Sequence, residues 1–172
     1  MGRVRDWLKA WLPVVFWMAL IFTASGDPAS SQRTSRIIAP VVRWLFPQWS
    51  EDQVVLVVLV VRKIAHFVEY AVLAWLVWRA LEKPRRGLPR VWKWRTGAVA
   101  WVIVVAYAIT DEYHQTFVPN RQGSAWDVLV DAVGGLCGLL AVWGWHSLRH
   151  RRALRDRLSP KPGVLTESVL RD

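Results

Sequence analysis

Residues 111–121 read DEYHQTFVPNR, and the stretch directly before them, AVAWVIVVAYAIT (98–110), carries no charged side chain. A chain that leaves so apolar a run straight into Asp, Glu, His and Gln is either ending a soluble helix or leaving a bilayer. Composition decides between the two. Of 172 residues, 53% are hydrophobic and 13 are Trp, yet the formal net charge is +10. A basic chain with a pI near 10.8 suggests phosphate neutralisation on a nucleic acid. Here, however, the Lys and Arg sit in short blocks between long apolar runs, as in helices that cross a bilayer with about 20 apolar residues each. Nucleic acid is therefore not an expected partner.

Working outward from 98–113 gives four crossings. The first is WLKAWLPVVFWMALIFTAS (7–25), with its apolar core from Trp11 to Ala24. It follows Arg3, Arg5 and Lys9 like a signal peptide. Pro13, three Trp and the lack of an A-x-A-like cleavage site read instead as a retained helix. The second is IAHFVEYAVLAWLVWRAL (64–81), preceded by VVLVVLVV (54–61), Arg62 and Lys63. Ser50 and Gln53 have capping-box spacing, so one long helix is expected from about residue 51. The third crossing covers 96–113 and the fourth 125–146. Between the first two, TSRIIAPVVRWLF (34–46) mixes Arg with apolar residues and is interrupted by Pro40, which suits a short helix lying in the outer interface.

Orientation follows from the basic residues. Seventeen of the 23 Lys and Arg fall before the first crossing, between the second and third, or after the fourth. That side is expected to be cytoplasmic, with both termini inside. Trp7, Trp11, Trp78, Trp92, Trp94, Trp143 and Trp145 then belong to the inner interface, and Trp44, Trp49 and Trp126 to the outer one. The expected organisation is an all-α polytopic membrane domain over 1–146. A basic cytoplasmic tail over 147–172 follows, drawn to anionic lipid and without fixed structure. Cys137, the single cysteine, excludes an intramolecular disulfide and reads as a small buried thiol.

With that topology the ionisable groups collect at one level. Arg62, His66, Glu69 and Leu73 share a face of the second helix, flanked by Lys63 and Tyr70. Asp111, Glu112, His114 and Gln115 end the third helix. Asp127, Asp131, Gly134 and Gly138 share a face of the fourth, where the GxxxG pair lets another helix approach closely. Ionisable side chains at this depth are costly and turn toward one another or toward water. They are expected to converge on one extracytoplasmic pocket together with Arg121. His66, Glu69, Glu112, His114 and Asp127 are the acid/base candidates. Arg62, Lys63, Tyr70, Asp111, Gln115, Arg121 and Asp131 are the ligand-binding ones. The competing reading is that these charges pair only to hold the helices in register. No H-E-x-x-H, G-x-S-x-G or P-loop pattern is present. His66, Glu69 and His114 form at most a weak metal motif, so neither metal nor cofactor is expected.

At these residues the chain resembles the VanZ-like family of bacterial membrane proteins. The matching pieces are FTASG (22–26) with its Ser-rich continuation, RKIAHFVEYAVLAWL (62–76) and DEYHQTFVPNRQGSAWDVLVDAVGGLCG (111–138). Together they span most of residues 10–146. Asp131 departs from the pattern, where Asn is expected more often. The resemblance implies a four-helix integral membrane protein of the cell envelope, whose namesake is linked to resistance to the glycopeptide teicoplanin. Three functions follow as expectations. One is an envelope protein that limits access of lipid-anchored glycopeptides to their target. Another is an intramembrane enzyme acting on a lipid or lipid-linked head group. The third is a small proton-coupled carrier, disfavoured because no repeat or broken helix is visible. Expected partners are membrane lipids and a lipid-linked or glycopeptide ligand on the outer face. The sequence sets no oligomeric state.

Overall fold

The computed structural model describes residues 2–27, 30–82, 92–119, 121 and 123–158. Among them there are five helices and no strand: α1 (Gly2–Ser25), α2 (Ser30–Leu45), α3 (Glu51–Leu81), α4 (Trp94–Gln115) and α5 (Ala125–Leu158). The middle of the basic connection (83–91) and the end of the C-terminal tail (159–172) lie outside the described residues.

α3 starts where the capping box places it. Ser50 accepts from the Gln53 amide, and the Gln53 side chain accepts from the Ser50 amide at 2.9 Å. Its 31 residues run without a break through Arg62 and Lys63. α3 is also the hub of the bundle, packing against each of the other four helices. The core around it is Val14 and Ile21 from α1, Tyr70, Leu73, Ala74, Val77 and Trp78 from α3, Ala100, Val104 and Ala108 from α4, and Leu139 from α5. The alanines allow close helix approach, and the glycine stripe goes further. A Cβ on Gly134 would stand 2.4 Å from the Phe67 carbonyl oxygen, and one on Gly138 would stand 2.5 Å from that of Ala71. The stripe is therefore the contact face between α5 and α3. Cross-helix hydrogen bonds add to it: Trp17 Nε1 to the Glu69 carbonyl (2.9 Å), Tyr107 Oη to that of Met18 (2.6 Å) and Trp101 Nε1 to that of Ala132 (3.0 Å).

α2 rests on the first half of α3 through Ala39 and Val42 against Val54 and Val58. Its other side exposes Ile37, Val41 and Trp44. The helix runs continuously through Pro40 instead of being interrupted there. Pro40 is on the exposed side, where losing one helical N–H bond leaves no polar group in the core. Cys137 is exposed, contrary to the buried thiol expected. The packed face of α5 is the stripe 131, 134, 135, 138 and 139, and position 137 falls on the opposite flank with Leu136 and Leu140. The fourth helix also continues twelve residues beyond 146, the point at which the tail was expected to begin, to Leu158. Its continuation SLRHRRALRDRL is rich in strong helix formers.

Two helices, Val4–Ser25 and Ala125–Asp156, are long and apolar enough to cross a membrane. In α3 the apolar run is interrupted by Arg62, Lys63, His66 and Glu69, while α4 carries Trp101 and Tyr107 and ends in Asp111 and Glu112. Large apolar side chains also face outward on all four long helices, including Leu12, Phe16, Leu56, Ile64, Val102 and Leu140. Outward apolar side chains on every long helix, together with two helices of spanning length, suit a membrane protein.

Candidate functional site

α1 and α4 end at the same end of the bundle where α5 begins, and the middle of α3 passes between them. DEYHQ is the last turn of α4, which closes with Gln115. Its periodicity turns Asp111, Glu112 and Gln115 inward and leaves Tyr113 outside.

Asp111 is the centre of a buried network. Its Oδ2 accepts from Ser25 Oγ at 2.8 Å, Tyr70 Oη at 3.4 Å and Gln115 Nε2 at 3.4 Å. Gln115 Nε2 also donates to Glu112 Oε1 at 2.9 Å, and Glu112 Oε2 accepts the Ser124 amide at 2.8 Å. That last bond ties the end of α4 to the start of α5. Arg121, on the loop between them, donates to Gln115 Oε1 at 3.1 Å and to the carbonyls of Ala24 and Asp27 at 3.5 Å. Lys63 forms an ion pair with Asp127. His66 Nδ1 stands 3.9 Å from Asp131 Oδ1, too far for a hydrogen bond. Asp131 is fully buried, and neither of its oxygens has a hydrogen-bond partner among the described residues.

Above this network lies a cavity of about 140 Å³, whose polar walls are Ser25, Thr34, Arg62, His66, Glu69 and Arg121. Arg121 loses proton affinity there, first because it is partly buried and next because the Arg62 guanidinium faces it. Glu69 forms no hydrogen bond or ion pair through its side chain among the described residues. The expected convergence therefore takes a layered form. Arg62, His66, Glu69 and Arg121 line the cavity, while Tyr70, Asp111, Glu112 and Gln115 form the buried network joined to its wall through Ser25. Lys63 and Asp127 pair beside it, and Asp131 lies in the α3–α5 contact. His114 is set apart: its ring packs on Phe22 at 4.1 Å and does not line the cavity. Among the described residues no three His, Cys, Asp or Glu side chains are grouped to hold a metal ion, so His66, Glu69 and His114 do not assemble one.

Sequence reasoning missed Ser25 and the Ser124 amide. Ser25 sits in the FTASG segment that carried the family resemblance. A serine ending an apolar helix gives no other signal. The Ser124 contribution is a backbone group, invisible in side-chain chemistry.

The family model VanZ/LLP1 matches residues 10–146. No curated protein and no solved structure matches the chain.

Proposed function

Because the chain belongs to the VanZ/LLP1 family, we propose that it is a four-crossing protein of the bacterial cell membrane with an extracytoplasmic pocket. In this reading α1, α3, α4 and α5 cross and α2 lies in the outer interface. Residues 1–146 form the membrane unit, and 147–172 are its basic cytoplasmic tail. The concentration of Lys and Arg at the opposite end of the bundle supports both termini being inside. α3 is about 46 Å long at 1.5 Å per residue, against a hydrocarbon core of roughly 30 Å. Its first turns therefore extend beyond the bilayer with α2. In a variant lacking Cys137, cysteine at position 122 is expected to react with an impermeant reagent from outside and cysteine at position 87 is not. The reverse labelling overturns the topology.

The function that fits best is limiting the action of lipid-anchored glycopeptides such as teicoplanin at the outer membrane face. The observation that carries it is the cavity between Arg62, His66, Glu69 and Arg121. At about 140 Å³ it falls below the roughly 300–1,000 Å³ of drug-sized sites. It suits a head group and not a whole glycopeptide, so the effect on the drug runs through the lipid or target beside it. Expression in a susceptible host is expected to raise the inhibitory concentration of teicoplanin more than that of vancomycin. Glu69→Gln is expected to abolish the rise while the protein remains in the membrane. Equal shifts for the two drugs would falsify this reading.

A second reading, an enzyme acting on a lipid-linked head group, is favoured by one observation. Glu69 and His66 line the same cavity, and the Glu69 carboxyl is uncommitted among the described residues. Envelope-lipid profiles with and without the protein distinguish the two. A product that disappears in Glu69→Gln establishes the enzyme, and an unchanged profile removes it.

A further inference from the structure

Arg62 is half-buried, lines the cavity, and has no hydrogen-bond or ion-pair partner among the described residues. A guanidinium carries five N–H donors and keeps its charge at any physiological pH. Taken out of water without an anion, it is among the most costly groups a helix can carry. The nearest cation on the same helix, Lys63, does not share this position, because it is paired with Asp127. Arg121 approaches the same cavity from the α4–α5 loop, held by Gln115 and by two backbone carbonyls at the end of α1. Those acceptors orient its plane. Both guanidiniums line the one cavity, and burial and the Arg62 charge both lower the hold of Arg121 on its proton. Asp111, Glu112 and Asp27 act on the Arg121 charge from its other sides, and Glu69 stands in the cavity wall, so Arg62 is the cation left without an acceptor among the described residues. An anion between the two cations supplies acceptors for Arg62.

We propose that Arg62 and Arg121 hold the phosphate of a membrane-lipid phosphate ester in this cavity. Phosphate is favoured because its oxygens match the planar fork of Arg in charge-assisted, paired hydrogen bonds. A lipid ester is favoured over free phosphate by the surroundings. The cavity also has Ala24, Val61 and Ala65 in its wall, and Ala24 and Ala65 are exposed, so its rim opens to acyl chains. The inference rests on the pocket reading above and names what the pocket takes. It is tested without any antibiotic, so failure here leaves the teicoplanin prediction standing, and the reverse also holds.

The test uses the purified full chain in detergent. Binding is followed by native mass spectrometry and by thermal shift with dioctanoyl phosphatidic acid, dioctanoylglycerol and inorganic phosphate. Phosphatidic acid is expected to bind and to raise the melting temperature, whereas dioctanoylglycerol is not. Arg62→Gln is expected to weaken binding about tenfold or more, the scale of one lost charge-assisted hydrogen bond. Arg62→Lys is expected to recover part of the loss, and Arg149→Gln, at the other end of the bundle, to bind as the parent does. Inorganic phosphate binding as tightly as the ester would keep the anion site and overturn its assignment to a lipid. Equal binding of phosphatidic acid and dioctanoylglycerol, or unchanged binding in a folded Arg62→Gln, overturns the proposal altogether.

Discussion

At the proposed cytoplasmic end of the bundle the buried carboxylate Glu82 accepts from Lys93 Nζ at 2.5 Å and from Thr96 Oγ1 at 3.1 Å. At the other end Asp131 is equally enclosed, yet the His66 imidazole stands off at 3.9 Å and, among the described residues, neither oxygen accepts a hydrogen bond. The first arrangement joins the end of α3 to the start of α4, beside a run of contacting rings from Trp78 through Trp92 and Trp94 to Trp143. The unpartnered buried groups there, the indole N–H of Trp78 and Trp92, are neutral and cost far less than a carboxylate. At the other end the incompletely paired groups among the described residues include Asp131, one oxygen of Asp111, the Nδ1 atoms of His66 and His114, Glu69 and Arg62. A charge pair that is complete holds helices in register. Charges that stay incomplete reduce stability, and membrane segments keep such groups at sites of ligand or ion chemistry.

The contrast extends to the glycines of α5, where the largest effect is expected. At Gly134 a side chain would collide with the Phe67 backbone, whereas around Gly144 nothing lies within 4 Å of an added Cβ. Gly134→Ile is expected to cost about 3 kcal/mol or more, at or above the top of the overpacking range. The loss would be seen as a lower melting temperature in detergent and reduced protein in the membrane. Gly144→Ala is expected to be neutral, or to stabilise by about 0.5–1 kcal/mol through helix propensity. If Gly134→Ile melts like the parent, the stripe does not face α3 and the candidate site loses a wall.

A smaller pair of effects tests the two carboxylates directly. Glu82→Ala removes the partner of Lys93 and Thr96 and is expected to destabilise by about 2 kcal/mol. Asp131→Asn removes a buried carboxylate that accepts no hydrogen bond among the described residues. It is expected to leave the melting temperature unchanged or to raise it by an amount equivalent to about 1 kcal/mol. The amide is also the residue expected more often in the family pattern at this position. Should Asp131→Asn destabilise as much as Glu82→Ala, Asp131 is a satisfied structural anchor and the two ends do not differ in kind.

Much of this was legible in the sequence because helical spacing and capping are local. The start of α3, the shared face of Arg62, His66 and Glu69, and the glycine stripe of α5 all follow from offsets of three and four residues. What is not local was harder to read. His114 belongs to DEYHQ, but its place on Phe22 depends on how α1 and α4 approach. The sequence puts His66 on the face of Arg62 and Glu69, but its nearness to Asp131 is set by the depth at which α5 crosses α3. Cys137 was misjudged because an apolar, glycine-rich setting resembles a core when the neighbour along the chain is lipid. Pro40 was over-read because it lies on the exposed face of α2, where the carbonyl that loses its helical partner is left outside the core.

The smallest effect concerns the link between α2 and α3, outside both ends of the comparison. Arg43 donates to both oxygens of Glu51, at 3.1 and 2.6 Å. That hydrogen bonding, followed by the Arg43 charge, holds the Glu51 carboxyl below its ordinary value of 4.5. A carboxyl whose folded pKa is depressed favours the folded arrangement fully above its unfolded pKa, and the contribution fades as pH falls through the folded pKa. The pair is exposed, so salt screens it and the effect on global melting is slight. A local measurement is therefore the informative one. Proteolysis of α2 in detergent is expected to be slow at neutral pH and to quicken below about pH 4, with a shallower pH dependence in Glu51→Gln. High salt is expected to quicken cleavage of the parent at neutral pH and to leave Glu51→Gln unaffected. If the variant shows the same acid response as the parent, α2 is held by Ala39 and Val42 against Val54 and Val58, and the charge pair contributes nothing to its docking.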